Sequence, residues 1–586
     1  MTRMAWITAF ARTLGLACLV IAGLLIADQP ARGHDDAAVA QGRPKTPKTE
    51  VGHFAQQAGQ PTATYAESEP PLWDNLGPLH YPVRTATALA QQYFDQGLRL
   101  TYAFNHAEAR RAFRQAQRLD PQCALCYWGE ALVLGPNINA PMDPTAVGPA
   151  LAAMAKAKET AAQASEKERG LIAALASRYS ADPGADRARL DAAYARGMGE
   201  LVSRFPDDQE IAVLYADALM NLSPWDYWEE GGRRPKGKAG EAIAAIERVL
   251  SVTPDHPGAI HLYIHLVEAS AAPERAERHA DRLGALMPGA GHLVHMPSHI
   301  YYRVGRYLDS LAANRAAVAA DEAYIAQAKP TGIYPQAYYP HAVHMLLVSA
   351  QMSGDGRAAI EAAETLERVV SEEAARAVPW VQPIKAAPYF ALAQFGEPSR
   401  ILALADPGGA VPYVKAMWHY ARGVAYAALG KVGEAQGEAD RIAELDRRAA
   451  FADLTAGGVP VHDLLRLAHD VVLARIAQAR GDLAAAIDRF RAAAALDDAL
   501  SYMEPPYWYS PVRQSLGAAL LLAGRVDEAE AEFRASLARV PNNAWALYGL
   551  LRVHEARGDQ QAALEAERRL TQAWVGDRSV LSLRRL

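Results

Sequence analysis

An internal period of 34 residues constrains the fold of this chain more than any other feature of its sequence. The segment 524–529 (Gly-Arg-Val-Asp-Glu-Ala) is echoed at 558–563 (Gly-Asp-Gln-Gln-Ala-Ala), so that both the Gly and an Ala recur at this interval. Phe533 and Pro541 stand between the two segments, at the spacing expected of a second helix and its end. Units of this size cannot bury their apolar faces alone, so neighbouring units must stack into one continuous core.

The same spacing recurs elsewhere in the chain. An upstream unit has matching residues at the same relative offsets: Ala109, Phe113, Ala116 and Pro121. The tripeptides 305–307 (Gly-Arg-Tyr) and 430–432 (Gly-Lys-Val) mark turns between the helices of further units. This pattern resembles the tetratricopeptide repeat (TPR), in which a small residue lets two antiparallel helices pack closely. The resemblance predicts an all-α fold from about residue 85 onward, a TPR-like α-solenoid with a concave groove.

Composition agrees with a helical array and bears on its partners. The 586 residues exceed what one hydrophobic core usually serves. Hydrophobic residues make up 51% of the chain, many of them Ala, and the long Ala/Leu/Glu/Arg stretches favour helices over sheets. The net charge is -6 without a basic stripe, whereas phosphate binding needs clustered Lys and Arg. We therefore expect no nucleic acid among the partners.

The N-terminal 33 residues have the pattern of a secretory signal. Arg3 and Arg12 supply positive charge, residues 14–27 are an uninterrupted apolar run, and 31–33 (Ala-Arg-Gly) is a suitable cleavage site. The run is short for a membrane span, although an uncleaved anchor is the alternative. The sequence thus predicts a periplasmic or secreted protein with no membrane span after signal cleavage.

Four further segments follow the predicted signal peptide of residues 1–33. Residues 34–72 are rich in Gln, Pro, Thr, Ala and Gly, which predicts a disordered tether. We expect N-terminal helical repeats over 73–250, His-rich TPR repeats over 251–370 and C-terminal TPR repeats over 371–586.

Two cysteines, Cys123 and Cys126, remain after the predicted signal. In an oxidising compartment they are a candidate disulfide, and buried free thiols are the alternative. Tyr127 stands where a haem-attachment motif would need His.

Histidines supply the most distinctive chemistry of the chain. Seven of the 17 histidines share the phase of the repeat, on three predicted first helices at about 258–270, 291–304 and 340–353. His261 and His265 recur 34 positions later as His295 and His299. After an insertion rich in Tyr and Pro, His341 matches His292 and His344 matches His295.

Offsets of three, four and seven residues place these side chains on the groove face of their helices. Imidazole nitrogen suits copper, zinc, iron and nickel, and three or four ligands complete such a site. The predicted ligands are His261, His265, Glu268, His292, His295, His299, His341 and His344. One expected grouping joins His261 and His265 with His299, with Glu268 as a ligand or as a hydrogen-bond partner of one. The other joins His292 and His295 with His341 and His344.

An alternative interpretation is that the histidines line a polar, protonation-sensitive groove that binds a ligand without metal. Pro297 also leaves two local structures open. Either the helix kinks there, or it begins at Pro297 and leaves His292 and His295 on a loop.

Several sequence blocks together resemble a family of bacterial exported TPR proteins. The blocks are 103–109, 135–139, 223–228, 258–268, 291–301 and 505–509. The block 340–345 (Pro-His-Ala-Val-His-Met) departs from the family pattern, which has Asn between the histidines and Phe after them. The resemblance implies the fold and export and supplies no reaction.

These features predict a metalloprotein that binds one or two transition-metal ions, with copper first and zinc or iron next. If it is an enzyme, oxidoreductase is preferred to hydrolase, because only one carboxylate is in phase with the histidines. The alternatives are a scaffold that holds a partner protein or peptide in the groove, and metal storage or delivery without catalysis. The aromatic clusters 225–228 and 507–509 are expected to pack in the core, or to wall a pocket for a small-molecule substrate if the superhelix closes on itself.

Overall fold

The computed structural model describes residues 68–586. The predicted signal peptide and the predicted tether up to residue 67 lie outside the described residues. Between residues 68 and 87 the chain is not helical. It packs along the first helix, where the backbone N–H groups of Trp73 and Tyr81 donate to Gln96 (2.8 Å) and Asp95 (3.1 Å).

Helices make up almost all regular structure in this part of the chain. The first half contains α1 Ala88–Tyr102, α2 His106–Leu119, α3 Ala124–Leu134, α4 Val147–Glu159, α5 Glu166–Ala176, α6 Arg187–Arg204, α7 Gln209–Met220, α8 Ala239–Val252, α9 Pro257–Val267, α10 Glu277–Leu286, α11 Gly291–His295, α12 Pro297–Val304 and α13 Tyr307–Ala328. The second half contains α14 Tyr339–Ser353, α15 Gly356–Val369, α16 Glu372–Ala377, α17 Val381–Phe395, α18 Pro398–Leu402, α19 Pro412–Ala428, α20 Val432–Arg448, α21 Ala452–Ala456, α22 Val461–Arg480, α23 Leu483–Ala499, α24 Val512–Leu522, α25 Val526–Arg539, α26 Ala544–Arg557 and α27 Gln560–Ala573. A short antiparallel pair, β1 Trp228–Glu229 and β2 Arg234–Pro235, joins α7 to α8.

The helices stack in the manner of a repeat array. Consecutive helices pack against each other, and first helices of neighbouring pairs also touch: α1 with α3, α14 with α17, α19 with α22, and α24 with α26. This order of contacts is that of a superhelix of antiparallel helix pairs. The predicted all-α, TPR-type solenoid is therefore confirmed.

Close helix packing depends on glycines that face a phenylalanine. Phe533 on α25 fits between Gly517 on α24 and Gly549 on α26, where an added Cβ would lie 2.9 and 2.2 Å from the ring. Phe113 on α2 fits in the same way between glycines of α1 and α3. A phenylalanine packed between two glycines of the neighbouring helices thus occurs in both the first and the last repeats.

The turn between α26 and α27 depends on one residue that ends the first helix and one that begins the second. Gly558 ends α26 with φ 72°, a left-handed conformation that suits Gly. Asp559 then begins α27, and its carboxylate accepts the Ala562 N–H at 3.0 Å.

Two hydrophobic cores meet at the histidine-bearing helices. Tyr301 belongs to the N-terminal core, and Tyr302, its neighbour on the same helix, belongs to the C-terminal core. The last repeats fold back onto this region, because the Trp545 indole donates to the Gln351 carbonyl (3.1 Å) and the Val575 N–H to the Ser353 carbonyl (3.0 Å). The solenoid therefore closes on itself around the histidines.

The two cysteines lie at the start of α3. Their Sγ atoms are bonded at 2.04 Å, with Cys123 as the N-cap residue and Cys126 in the first turn. None of the helices between residues 68 and 586 is long and apolar enough to cross a membrane.

Candidate metal centre

Four short helices position the histidines. His261 and His265 lie on α9, His292 and His295 on α11, His299 on α12, and His341 and His344 on α14. The backbone of Met296 keeps helical angles (φ -53°, ψ -36°) between α11 and α12. Although α12 begins at Pro297, the residues before it form α11 and not a loop, so His292 and His295 are helical, as the kinked alternative predicts.

A first cluster of imidazoles, which we name group A, consists of His261, His265 and His292. Its nitrogen atoms lie within 4.8 Å of one another, and Nε2 of His261 is 3.1 Å from Nε2 of His292. All three side chains are buried. The Phe104 ring covers the cluster, with its centroid 4.5 Å from that of His261.

A second cluster, group B, consists of His295, His299, His341 and Glu504. One donor atom from each residue again lies within 4.8 Å of the others. Nε2 of His299 is 2.8 Å from Nε2 of His295 and 3.1 Å from Oε2 of Glu504. Nε2 of His341 is 3.6 Å from the same carboxylate oxygen.

In four of these rings Nδ1, the nitrogen that points away from the cluster, donates a hydrogen bond to an oxygen that can act only as an acceptor. His261 Nδ1 donates to the Tyr102 carbonyl (2.7 Å). His265 Nδ1 and His299 Nδ1 donate to the two carboxylate oxygens of Glu268 (2.8 and 2.7 Å). These contacts place the proton of each neutral ring on Nδ1 and leave the lone pair on Nε2, which faces the cluster.

The side-chain oxygen of Asn314 likewise accepts a hydrogen bond from Nδ1 of His295. The Asn314 amide nitrogen donates to the Ser310 carbonyl (2.9 Å), which fixes the orientation of the amide. Its oxygen therefore accepts from His295 Nδ1 (2.6 Å). The two facing Nε2 atoms of His295 and His299 then both carry lone pairs, and only a cation or a shared proton can lie between them.

Glu268 joins the two groups from behind. One carboxylate oxygen meets a ring of group A and the other meets a ring of group B, and the hydroxyl of Tyr502 donates to the second oxygen at 2.7 Å. Glu268 is fully buried, and the neighbouring imidazoles lower its pKa despite burial. It is therefore a charged residue that orients ligands in both groups.

Burial and neighbouring charges set the protonation of the rings. Burial lowers the pKa of His261, His292, His295 and His341 well below the ordinary value, so these rings are neutral at pH 7. Burial also lowers the pKa of His299, but Glu504 and Glu268 outweigh it and raise the value to about 8. Burial raises the pKa of Glu504 to about 8. A proton shared between His299 and its neighbours would thus compete with any metal ion that binds in group B.

The structure keeps part of the expected grouping and changes the rest. Ligand atoms of His265, Glu268 and His299 lie within 4.8 Å of one another, as in the first expected set. His292 and His295, which the sequence predicts in one set, belong to group A and group B respectively. His344 joins neither group, because its Nε2 contacts the Tyr509 hydroxyl at 2.7 Å. Three positions advance a helix by about 300°, so rings at this offset diverge by about 60°. The separation of His292 from His295, and of His341 from His344, follows from that divergence.

A loop from the C-terminal repeats covers both groups. Residues 500–511, between α23 and α24, bring Tyr502 to Glu268 and Glu504 to the imidazoles. A cavity of about 160 Å³ remains between this loop and the rings, lined mainly by apolar atoms. Its aromatic walls are Trp225, Tyr338, Trp380, Tyr502 and Tyr507.

Sequence reasoning missed Glu504, Tyr502 and Asn314. Glu504 and Tyr502 lie on a loop, outside any helical periodicity, although the block that follows them was singled out for its aromatic residues. Asn314 lies on α13, the second helix of its pair, whereas the 34-residue recurrence of the histidines points only to first helices.

The donor set fits a transition metal. Two ligands that each bind one ion at about 2.1 Å lie about 3 to 4 Å apart. Three spacings among the Nε2 and Oε2 atoms, of 3.1, 3.1 and 3.6 Å, lie in this range, and the 2.8 Å between His295 and His299 lies just below it. Glu504 is also buried, and neither of its carboxylate oxygens accepts a hydrogen bond from a described residue. A bound cation would stabilise the charged form of this carboxyl, which burial otherwise disfavours.

Fold and site together define a TPR-type repeat protein with a buried cluster of imidazoles and carboxylates. No protein-family model matches the chain, and no curated protein matches it in sequence. Solved structures with a similar fold include the human IFIT1 dimer with PPP-AAAA, at 13% identity over 81% of this chain and 89% of that one, with a TM-score of 0.30. The TPR domain of P58(IPK) is 11% identical over 83% and 99% of the two chains (TM-score 0.19). The APC/C hetero-tetramer Cut9-Hcn1 is 12% identical over 82% and 93% (TM-score 0.26). At these identities and TM-scores none of the three bears on function, and the fold assignment rests on the helix pairs described above.

Proposed function

We propose that this protein binds two transition-metal ions, one in group A and one in group B, and oxidises a small organic molecule. The observation that carries the proposal is the inward convergence of Nε2 lone pairs, with Nδ1 of four rings fixed by oxygen acceptors. Metal-binding histidines usually donate their second N–H to a carboxylate or carbonyl in this way. A groove that merely exposed polar side chains to a ligand would not need this orientation.

Copper is the proposed metal, with zinc and iron next. Copper heads the affinity order of divalent ions for nitrogen ligands, and both groups contain three imidazoles. The apolar, aromatic cavity over the rings favours an organic substrate and dioxygen over a hydrated one. In the proposed reaction the substrate loses two electrons and two protons, and dioxygen becomes hydrogen peroxide. Copper would supply the electron transfer, while the protein residues hold the ions and exclude water.

Glu504 favours a second candidate function, metal-dependent hydrolysis. The sequence favours oxidation because Glu268 is the single carboxylate in phase with the histidines, but Glu504 supplies another carboxylate beside the imidazoles. A buried carboxyl with a pKa raised to about 8 is suited to proton transfer at neutral pH. Zinc in group B would be the expected metal for that chemistry.

The location of the protein is also a proposal. An exported protein in the periplasm or outside the cell agrees with the signal-like N-terminus and with the bond between Cys123 and Cys126. A role as a scaffold for a partner protein is less favoured at this position, because the chain's own 500–511 loop already occupies the space over the histidines.

Elemental analysis of the mature protein, purified without a His-tag, tests the proposal. We expect two equivalents of metal in the wild type and one in a His261→Ala variant and in a His341→Ala variant. His462→Ala is the matched control, because His462 is half exposed and pairs with Asp446 at the surface. Oxygen uptake with a panel of one-ring phenols and amines then separates oxidation from hydrolysis. A wild-type protein that stays free of metal after reconstitution with copper, zinc and iron would rule out both functions.

A further inference from the structure

A second cavity is lined largely by residues of the 500–511 loop and of the helices beside it. Its volume is about 260 Å³, and it shares His299, Tyr502 and Glu504 with the cavity over the rings. On the measure by which one water needs about 10 to 15 Å³, this space holds on the order of ten waters or more. A one-ring organic molecule therefore fits beside group B.

Three arginines line this cavity, and two of them are neutralised. Arg513 and Arg539 both pair with Asp498, at 2.5 and 3.3 Å. The third, Arg303, has a different environment. Its guanidinium donates to the Ser270 carbonyl (2.9 Å) and lies 5.2 Å from the centroid of the Tyr502 ring. Its Nε is buried and has no hydrogen-bond partner among residues 68–586.

Arg303 also continues the histidine face of its helix. It follows His299 by four positions and His295 by eight, so the three side chains form one stripe. An anion held by Arg303 would therefore lie one helical turn from the imidazoles of group B.

We propose that Arg303 binds the carboxylate of a small aromatic acid, which is the substrate class of this site. A guanidinium recognises a carboxylate through two parallel hydrogen bonds. The aromatic walls of the cavity, Tyr302, Tyr502 and Trp508 among them, suit a planar ring. A singly charged carboxylate is favoured over a phosphate, because Asp497 and Asp498 line the same cavity and would repel a doubly charged anion more strongly. The inference rests on the proposed function in one respect, namely that the bound acid is the substrate of the proposed reaction.

Calorimetric titration with benzoate, and with benzamide as its neutral counterpart, tests the inference. Both metal-free and metal-loaded mature protein are titrated, and inorganic phosphate is added as a competitor. Benzoate is expected to bind at least about tenfold more tightly than benzamide, and phosphate is expected not to displace it. Arg303→Gln should weaken benzoate binding by about tenfold or more. Arg303→Lys should weaken it by less, since lysine keeps the positive charge but cannot form two parallel hydrogen bonds to the carboxylate.

Arg306→Gln is the matched control. It removes the same charge three positions later, where the guanidinium faces Glu277, Asp281 and Asp309 at the surface. Benzoate binding that is unchanged in Arg303→Gln, equal binding of benzamide, or displacement by phosphate would each overturn the inference. Metal content is measured on the same samples. If the protein binds no metal but binds benzoate in a way that depends on Arg303, the anion site stands and the metal-dependent function is refuted. If it binds metal but its benzoate binding does not depend on Arg303, the metal-dependent function stands and the anion site is refuted.

Discussion

The Nε2 atoms of His295 and His299 face each other at 2.8 Å, while Nδ1 of each ring donates to an oxygen of Asn314 or Glu268. Two neutral imidazoles in these tautomers repel at that distance, so the arrangement requires a positive charge between them. A proton on His299, whose pKa is raised to about 8, supplies this charge, and a metal ion bound in group B would replace that proton. Metal uptake by group B should therefore release a proton.

Asn314→Leu should weaken metal binding in group B without removing a ligand. The His295 ring loses the acceptor that fixes its Nδ1 proton, and the loss of such a partner typically costs about 10- to 100-fold in metal affinity. Asn314→Asp keeps an oxygen acceptor and should restore most of the affinity. Competition with a chelator of known affinity measures the effect. Asn221→Leu, a buried Asn that donates to Asp217 away from the site, is the control. Equal affinity in Asn314→Leu and wild type would refute the role of Asn314.

Glu268→Ala should weaken both metal sites at once. Its two oxygens orient His265 in group A and His299 in group B, so both rings lose their partner. We expect both equivalents to bind at least about tenfold more weakly in a chelator titration. Glu247→Ala removes a partly exposed carboxylate that pairs with Arg275 and serves as the control. Weakening of one equivalent alone would contradict the bridging role of Glu268.

The metal-free protein should lose stability as the pH rises from about 6.5 to about 8. The folded-state pKa of His299, about 8, exceeds its ordinary value of 6.5, so protonation stabilises the folded state. This contribution is complete below the ordinary pKa and disappears above the raised one, and it amounts to about 2 kcal/mol.

Urea unfolding of chelator-treated protein between about pH 6 and about pH 9 measures this dependence. Glu504→Gln removes the carboxylate that contributes most to the raised pKa of His299, so its profile should be flatter. A wild-type profile that is level across this range would show that His299 is not protonated in the folded state.

Gly549→Ala should destabilise the last repeats by about 1 to 3 kcal/mol through overpacking. The added Cβ would lie 2.2 Å from the Phe533 ring, which is fully buried and cannot move away freely. Gly437→Ala, also inside a helix but with no heavy atom within 4 Å of the new Cβ, should be neutral or stabilising by up to about 1 kcal/mol. Thermal unfolding of the two variants compares them directly, and equal melting temperatures would contradict the packing role of Gly549.

Replacement of both Cys123 and Cys126 by Ala should have a small effect. The bond closes a loop with a sequence separation of only 3, so the loss of unfolded-state constraint is about 2 kcal/mol or less. Metal content should not change, since neither residue belongs to group A or group B. Thiol titration of the unfolded, mature protein should detect free thiols only after reduction. Two free thiols without reductant would show that the pair is not bonded in the protein as isolated.

The sequence predicts the helix pairs and the three histidine-bearing helices because both depend on local periodicity. The start of α11 at Gly291, for example, agrees with the predicted first helix at 291–304. The assignment of rings to groups could not be predicted, because it depends on how neighbouring helices rotate about their axes. Glu504 could not be predicted either, since it reaches the site through a non-helical loop and the closure of the whole solenoid.

The contact between Tyr502 and Glu268 spans 234 positions of the chain. A chain whose last repeats have not yet docked already contains every imidazole of both groups, but it lacks Glu504 over group B. Tight retention of an ion in group B would thus serve as a checkpoint for complete folding. Molecules clipped within the 500–511 loop would keep most of their helices and still release that ion.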